Sequence, residues 1–215
     1  MEFEEAAHDV AARYRARSAH YYVRSKLKMD PVCRALVELG QKGQFGKVVD
    51  VACGRGQVAL LLRVLGLADS AVGFDWDAGK VESANAAASG LDGTSFSAGD
   101  VRTVPIPDAD TVLLVDILHY LTRAEQDDLL VRSARAARRQ VIVRDVDPDQ
   151  GATSLLTHGW EWVTTTLGYN RGARVSPRSF AEITAVLEGE GLAVSRELCS
   201  ARGMSNVLLV ARRSK

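Results

Sequence analysis

Short apolar runs and longer amphipathic segments take turns along most of this chain. Val48, Val49 and Val51 make one run. Others lie at residues 71–74, at 94–98 in a more polar form, at 111–115 almost without interruption, and at 140–143. Runs of this length and composition read as strands, and one with little alternation reads as a strand buried on both faces. The segments between them are helical in pattern. Residues 57–65 form one helix, with Gly66 placed to stop it, and residues 80–88 form an alanine-rich helix that Asp77 can cap. Thr122-Arg-Ala-Glu125 is a capping box opening a helix toward Arg138. Strand alternating with helix predicts an α/β fold with helices on both faces of a mainly parallel sheet.

The two ends break this rhythm. Residues 2–28 read as helical, and Asp30-Pro31 opens a second helix on which Val32, Leu36 and Leu39 share a face and Gly40 is placed as a stop. Near the C-terminus, Ser176-Pro177 caps a helix running to about residue 190. Residues 192–199 and 206–211 follow as a closing pair of strands, with Gly203 between them.

The chemistry begins at VVDVACGRGQV, residues 48–58. A strand, a turn through Gly54 and Gly56 and a helix N-terminus make a place where a ligand can lie against backbone. Asp50 sits inside the strand. Asp75 ends the next strand about 20 residues on, where an acid can accept from ribose hydroxyls. Gly54-Arg-Gly-Gln-Val-Ala59 also fits the dinucleotide fingerprint with Asp75 as its ribose acid, so an NAD-dependent oxidoreductase is an alternative at this point.

Composition narrows the classes. The 215 residues suffice for one domain with a substantial core. Lys and Arg number 27, as do Asp and Glu, so the formal net charge is zero, which argues against a nonspecific nucleic-acid binder. Cys33, Cys53 and Cys199 are too scattered for a disulfide framework or a zinc site, and read as reduced thiols of a cytoplasmic protein. The acidic start MEFEEAAHDV is no signal peptide, and no apolar run approaches a membrane span, so no membrane partner is expected. Arg132, Arg135 and Arg138 read as a solvated face.

The strand and turn carrying Asp50, Cys53, Gly54 and Gly56 resemble motif I of the class I S-adenosylmethionine-dependent methyltransferases, roughly Val-x-Asp-x-Gly-Cys-Gly-x-Gly. Ala52 stands where that family usually has glycine. The resemblance extends over residues 47–144. It implies a Rossmann-like three-layer sandwich, with a seven-stranded, mostly parallel sheet and an antiparallel C-terminal strand, in a single domain over residues 1–215. It also implies S-adenosylmethionine as cofactor. By resemblance, Asp75 takes the ribose, Trp76 stacks on the adenine, and Asp100 and Val101 read the adenine edge. Asp116 helps hold the amino group of the cofactor. Residues 1–45 would form a helical lid in which Tyr21 and Tyr22 line the cofactor and Arg24 pairs with its carboxylate. A third acid at the family's interval and the closing hairpin both favour this reading over the oxidoreductase.

Asp116-Ile-Leu-His119-Tyr120 resembles motif IV of the small-molecule enzymes. It is not the Asn/Asp-Pro-Pro-Tyr/Phe motif of the amino-methylating DNA enzymes. It lacks the Pro-Cys nucleophile of the cytosine-C5 enzymes and the paired Asp-Asn ligands of the magnesium-dependent ones, so no metal is expected. His119 is the candidate general base, since it lies just past a strand end and titrates near neutrality. A structural histidine bonding a loop carbonyl is the competing reading. Tyr22, Tyr120, His158 and Trp162 are candidates for the acceptor pocket. Residues 149–175, with their tryptophans and tyrosine, suggest an aromatic or polyketide-like small molecule as acceptor. Cys53 is assigned no nucleophilic role. A non-catalytic S-adenosylmethionine-binding protein is a further alternative.

Overall fold

The computed structural model describes residues 1–145, 176–199 and 207–213. The segment 149–175, with His158 and Trp162, lies outside the described residues. The strands are β1 (Lys47–Val51), β2 (Ser70–Asp75), β3 (Thr94–Ala98), β4 (Ala109–Val115), β5 (Ala137–Arg144), β6 (Leu192–Leu198) and β7 (Val207–Arg213). They form one sheet in the order β3-β2-β1-β4-β5-β7-β6. The first five are parallel, and β7 runs antiparallel to both β5 and β6. This is the sheet expected from the sequence.

Strand alternation divides the core. Val48, Leu113, Ile142 and Val210 face α1 (Phe3–Ala12), α2 (Arg17–Met29), α3 (Pro31–Lys42), α4 (Gln57–Val64) and α5 (Ala78–Ala87). Val49, Val51, Leu114, Val141 and Leu209 face α6 (Arg123–Ala136) and α7 (Phe180–Gly189). Strand order reverses between β1 and β4, whose register pairs Val51 with Leu114. Such a reversal opens a crevice at the carboxyl ends of the strands.

Four boundaries differ from the sequence expectation, each for a tertiary reason. The N-terminal helix breaks at residues 13–16 into α1 and α2. Split, it buries Ala6, Val10 and Ala11 from one helix and Ala19, Val23 and Leu27 from the other in one cluster, whereas an unbroken rod of that length would span about 40 Å. Both helices are therefore part of the layer on that face of the sheet. Asp30 caps α3 as expected, accepting from the Val32 N–H at 3.0 Å. Gly40 does not end that helix, which continues to Lys42. A Cβ at Gly40 would stand 2.8 Å from the Phe45 ring, so close packing is what the glycine serves.

The third and fourth differences concern the face that carries α6 and α7. The cap of α7 is Ser179, accepting from the Glu182 N–H at 3.3 Å, and not Ser176-Pro177. The Ser176 N–H donates to the His119 carbonyl, and the Ser176 and Pro177 carbonyls accept from Gln126 and Arg123, so that dipeptide is tied to α6 and the turn before it. The arginines do not form one solvated stripe. α6 stops at Ala136, Arg138 lies in β5, and half-buried Arg132 donates to the Val101 and Val104 carbonyls. The capping box of Thr122 and Glu125 is present in full.

Among the described residues no helix is long and apolar enough to cross a membrane. Buried Gln126 holds the segment ahead of α6. Its amide donates to the carbonyls of Leu118, Leu121 and Ser176 at 2.8–3.0 Å. Replacing it strands main-chain acceptors in the core. Gln126→Met is expected to lower unfolding stability by about 2–3 kcal/mol, measured by urea denaturation.

Candidate active site

The chain leaves β1 in a tight left-handed path, with φ of 58° at Ala52, 56° at Gly54 and 73° at Gly56. The Cys53 N–H donates to the Phe74 carbonyl at 3.0 Å and the Gly56 N–H to the Cys53 carbonyl at 2.8 Å. Asp75, at the end of β2, accepts from the Gly54 N–H at 2.9 Å on one oxygen and from the Asp77 N–H at 3.0 Å on the other. Each oxygen keeps a further lone pair for a ligand. The glycines serve different purposes. A Cβ on Gly56 would stand 2.5 Å from the Phe96 ring, whereas one on Gly54 would meet nothing within 4 Å. Gly56 is needed for packing, and Gly54 leaves the loop open to a ligand lying against its backbone.

Two non-glycine residues adopt left-handed backbone, Ala52 after β1 and Asp116 after β4, at φ of 58° and 57°. These strands flank the reversal point, and strain of this kind collects at functional sites. Ala52 is the position where the sequence departs from the family glycine, and here its Cβ has a steric cost.

Asp50 shares the α4-facing side of β1. Burial, then the nearby charge of Asp75, pushes its carboxyl up to about 7, opposed by a hydrogen bond from the Ala59 backbone. Burial and the same two carboxylates push the Cys53 thiol up, so no thiolate forms there. Trp76 is 58% exposed beside Asp75 and available for stacking, and core packing is excluded for it. Asp77 caps α5, accepting from Gly79 and Lys80. Asp100 makes an Asx turn to the Arg102 N–H, and the Arg102 guanidinium brackets both its oxygens and holds its pKa low. Val101 is buried, and its carbonyl accepts from Arg132 at 2.7 Å.

A second group of residues sits past β4 and β5. Asp116 is ion-paired to Arg144 and, at 3.1 Å, to Lys26 of α2. Lys26 reaches Asp30 at 2.6 Å, and Arg144 lies 3.7 Å from Asp30. Burial disfavours the Asp116 charge, but Arg144 and Lys26 outweigh it and hold the pKa low. Next to this set, the 3-10 turn Leu118–Tyr120 presents the N–H groups of Leu118 and His119 to Asp145. One oxygen of Asp145 accepts from Leu118 at 2.7 Å and from His119 at 3.3 Å, while the other lies 2.5 Å from His119 Nδ1. His119 Nε2 is buried and makes no hydrogen bond among the described residues. Burial alone would lower the imidazole pKa, but the hydrogen bond and charge of Asp145, with the charge of Asp116, raise it. The Tyr120 ring lies 4.0 Å from the imidazole at a tilt of 47°, and burial pushes its phenol up to about 12.

Tyr22 links the two groups. The Arg55 guanidinium of the glycine loop lies 5.9 Å from its ring, and the charges of Lys26 and Asp116 act on its phenol. The structure therefore brings together Asp50, Ala52, Cys53, Gly54, Gly56, Asp75 and Trp76 on one side and Tyr22, Asp116, His119 and Tyr120 on the other. Arg24 and Tyr21 point away. Two residues along a helix lie on opposite sides, so when Tyr22 and Lys26 face the strand ends Arg24 faces out. Sequence reading missed Lys26, Asp30, Arg144 and Asp145. Only Asp145 had a local signal, an acid one residue past a parallel strand.

A parallel β1-to-β5 sheet closed by an antiparallel β7, with a left-handed glycine turn, an open loop face and an acid ending β2, defines a class I, Rossmann-like cofactor-binding fold. Residues 48–140 match the model of the methyltransferase domain family. That match favours the methyltransferase reading of the glycine turn over the oxidoreductase. No curated protein matches the chain in sequence. Solved structures match it in fold. Magnesium protoporphyrin IX methyltransferase from Synechocystis PCC 6803 with bound SAH is 21% identical, with a TM-score of 0.63 over 99% of this chain and 96% of its own. The SAM-bound form of that enzyme is 18% identical, with a TM-score of 0.62 over 100% and 98%. Mitomycin 7-O-methyltransferase is 20% identical, with a TM-score of 0.64 over 95% of this chain and 60% of its own. The open face of Gly54 and the free lone pairs of Asp75 fit an adenosine-bearing cofactor.

Two substitutions test the loop. Ala52→Gly relieves a left-handed Cβ and is expected to raise unfolding stability by up to about 1 kcal/mol, after the entropy glycine adds to the unfolded chain. Asp50 has a folded pKa raised from 3.8 to about 7, so the folded state binds its proton more tightly. Its contribution is present below pH ~4 and is lost as pH rises through about 7. Asp50→Asn is expected to match the wild type in urea unfolding near pH 4 and to exceed it near pH 8 by on the order of a few kcal/mol.

Proposed function

We propose that this chain methylates a hydroxyl oxygen of a small-molecule acceptor, with His119 as general base and Asp145 as the residue that orients it. The carrying observation is the 2.5 Å contact of His119 Nδ1 with Asp145 beside an Nε2 that has no partner among the described residues. A proton held on Nδ1 by a carboxylate leaves the Nε2 lone pair to act as a base.

S-adenosylmethionine supplies an electrophilic methyl on a sulfonium. Asp75 would hold the ribose, Trp76 the adenine face, and the Gly54 loop the backbone of the cofactor. Asp100 and Val101 would meet the adenine edge, with Arg102 yielding part of its hold on Asp100. Asp116 would meet the amino group, sharing it with Lys26. His119 Nε2 takes the acceptor's proton as the acceptor oxygen forms its bond to the methyl carbon. The bound cofactor would supply that methyl, its sulfur keeping the electron pair of the carbon–sulfur bond that breaks. Alignment is the main service asked of the protein, and in favourable cases it supplies roughly 7–11 kcal/mol. Tyr22 and Tyr120 would flank the acceptor, and His158 and Trp162 belong to the stretch that we assign to the pocket. The N-terminal helices would cover the cofactor through α2. An aromatic acceptor suits this wall, and the likeness to mitomycin 7-O-methyltransferase supports an oxygen acceptor.

Calorimetric titration with S-adenosylhomocysteine is expected to saturate and to weaken in Asp75→Ala, whereas NADH is expected not to bind. In a screen of hydroxylated aromatics with methyl-labelled cofactor, His119→Gln is expected to lower turnover by about 10²–10⁴ while S-adenosylhomocysteine still binds. Base catalysis needs neutral imidazole. Turnover should therefore rise with pH along a limb above the ordinary histidine value, and Asp145→Asn should move that limb to lower pH. An unchanged limb would remove His119 from the role.

A further inference from the structure

The corner between α1 and α2 takes no part in the chemistry above, yet it reaches the glycine loop. Tyr14 lies in that corner, is 4% exposed, and donates its hydroxyl to the Arg55 carbonyl at 2.6 Å. Arg55 sits between the two left-handed glycines, and its carbonyl accepts from Tyr14 while the N–H of the same peptide, that of Gly56, donates to the Cys53 carbonyl at 2.8 Å. Gly54 is tied by its N–H to Asp75, and Gly56 by its N–H to Cys53. Neighbouring bonds fix the corner to the same layer. Arg13 donates to the carbonyls of Ala87 and Ser89 at 3.2 and 3.3 Å, at the end of α5, and His20 Nδ1 meets the Ala11 carbonyl at 2.8 Å.

We propose that Tyr14 is a positioning residue for cofactor binding: its buried hydroxyl holds the Arg55 peptide so that the open face of Gly54 is set for the ligand before the ligand arrives. The inference rests on the cofactor reading of that loop. Without the bond, the Arg55 carbonyl seeks another donor and the peptides on either side of it turn with it. Two glycines flank this peptide, so its rotation meets little steric resistance. The Tyr14 bond is one of the two that fix this peptide, so its loss loosens the loop and part of the ordering falls on the binding step. Burial raises the phenol's pKa further above neutrality, so the donor keeps its proton at every ordinary pH.

The experiment is calorimetric titration of S-adenosylhomocysteine into wild type, Tyr14→Phe and His20→Leu, with thermal melting of each unliganded protein. Tyr14→Phe keeps the ring in the core and removes only the hydroxyl, while His20→Leu loosens the same corner without touching the loop. Tyr14→Phe is expected to raise Kd about five- to tenfold with only a small change in melting temperature. His20→Leu is expected to lower the melting temperature and leave Kd unchanged. Kd within twofold of wild type in Tyr14→Phe overturns the inference, as does an equal loss of affinity in His20→Leu. If the wild type itself binds no S-adenosylhomocysteine, the cofactor reading fails first and carries this inference down with it.

Discussion

Four charges, those of buried Lys26 and Asp30 and of partly buried Asp116 and Arg144, set the terms for the rest of the site. A buried ion costs several kcal/mol to desolvate, and the mutual attraction of a well-made pair roughly offsets that cost. Removing any one leaves the charge of its partners less compensated. Their sequence positions span α2, the cap of α3 and the ends of β4 and β5, so satisfying them pins the N-terminal helices to the carboxyl edge of the sheet. Asp30 does double duty, with one carboxylate capping α3 and receiving Lys26. Tyr22, one turn before Lys26 on α2, is thereby brought between the glycine loop and the His119 turn. The stabilising value of such a cluster is modest. Its value lies in specifying one arrangement of helix against strand.

The two left-handed residues tell a related story. Ala52 and Asp116 leave neighbouring parallel strands at the point where the order reverses, and each is bent away from the strand direction at once. Asp116 tolerates this better, because a short polar side chain adopts the left-handed region more readily than most and its partners hold it there. Ala52 has no such help. The strain is carried by the sheet around it, which buries Val49, Val51, Leu113 and Leu114 completely.

His119 shows how a weak sequence cue becomes a defined group. The 3-10 turn has amide groups with no helical partner, and Asp145 accepts two of them with the oxygen that does not touch the imidazole. Gln126 and Ser176 hold the other side of the turn. The ring is fixed from below by backbone bonds and from the side by a carboxylate, so its second nitrogen has one direction left.

Much of this was legible in the sequence, because it depends on local rules. Alternating apolar runs and helical segments determined the parallel sheet and its flanking layers. Gly54 and Gly56 after an apolar strand, with Asp75 ending the next, determined the ligand-facing turn. Asp77, Thr122 and Glu125 declared their caps through side chains that reach only three residues. What the tertiary structure decided was everything that depends on which distant groups share a buried volume. Lys26 rather than Arg24 faces the strand ends, because the helix turns 200° between Tyr22 and Arg24 and only the fold says which side is inward. Arg144 and Asp145 acquire meaning only once β5 lies beside β4. Gly40 looked like a stop and is a packing glycine, because Phe45 and Leu67 come from outside its helix. Hydrophobic periodicity encodes which face is buried, but not what it is buried against. Charge pairing across the ends of strands is set by sheet order, which no short stretch of the chain contains.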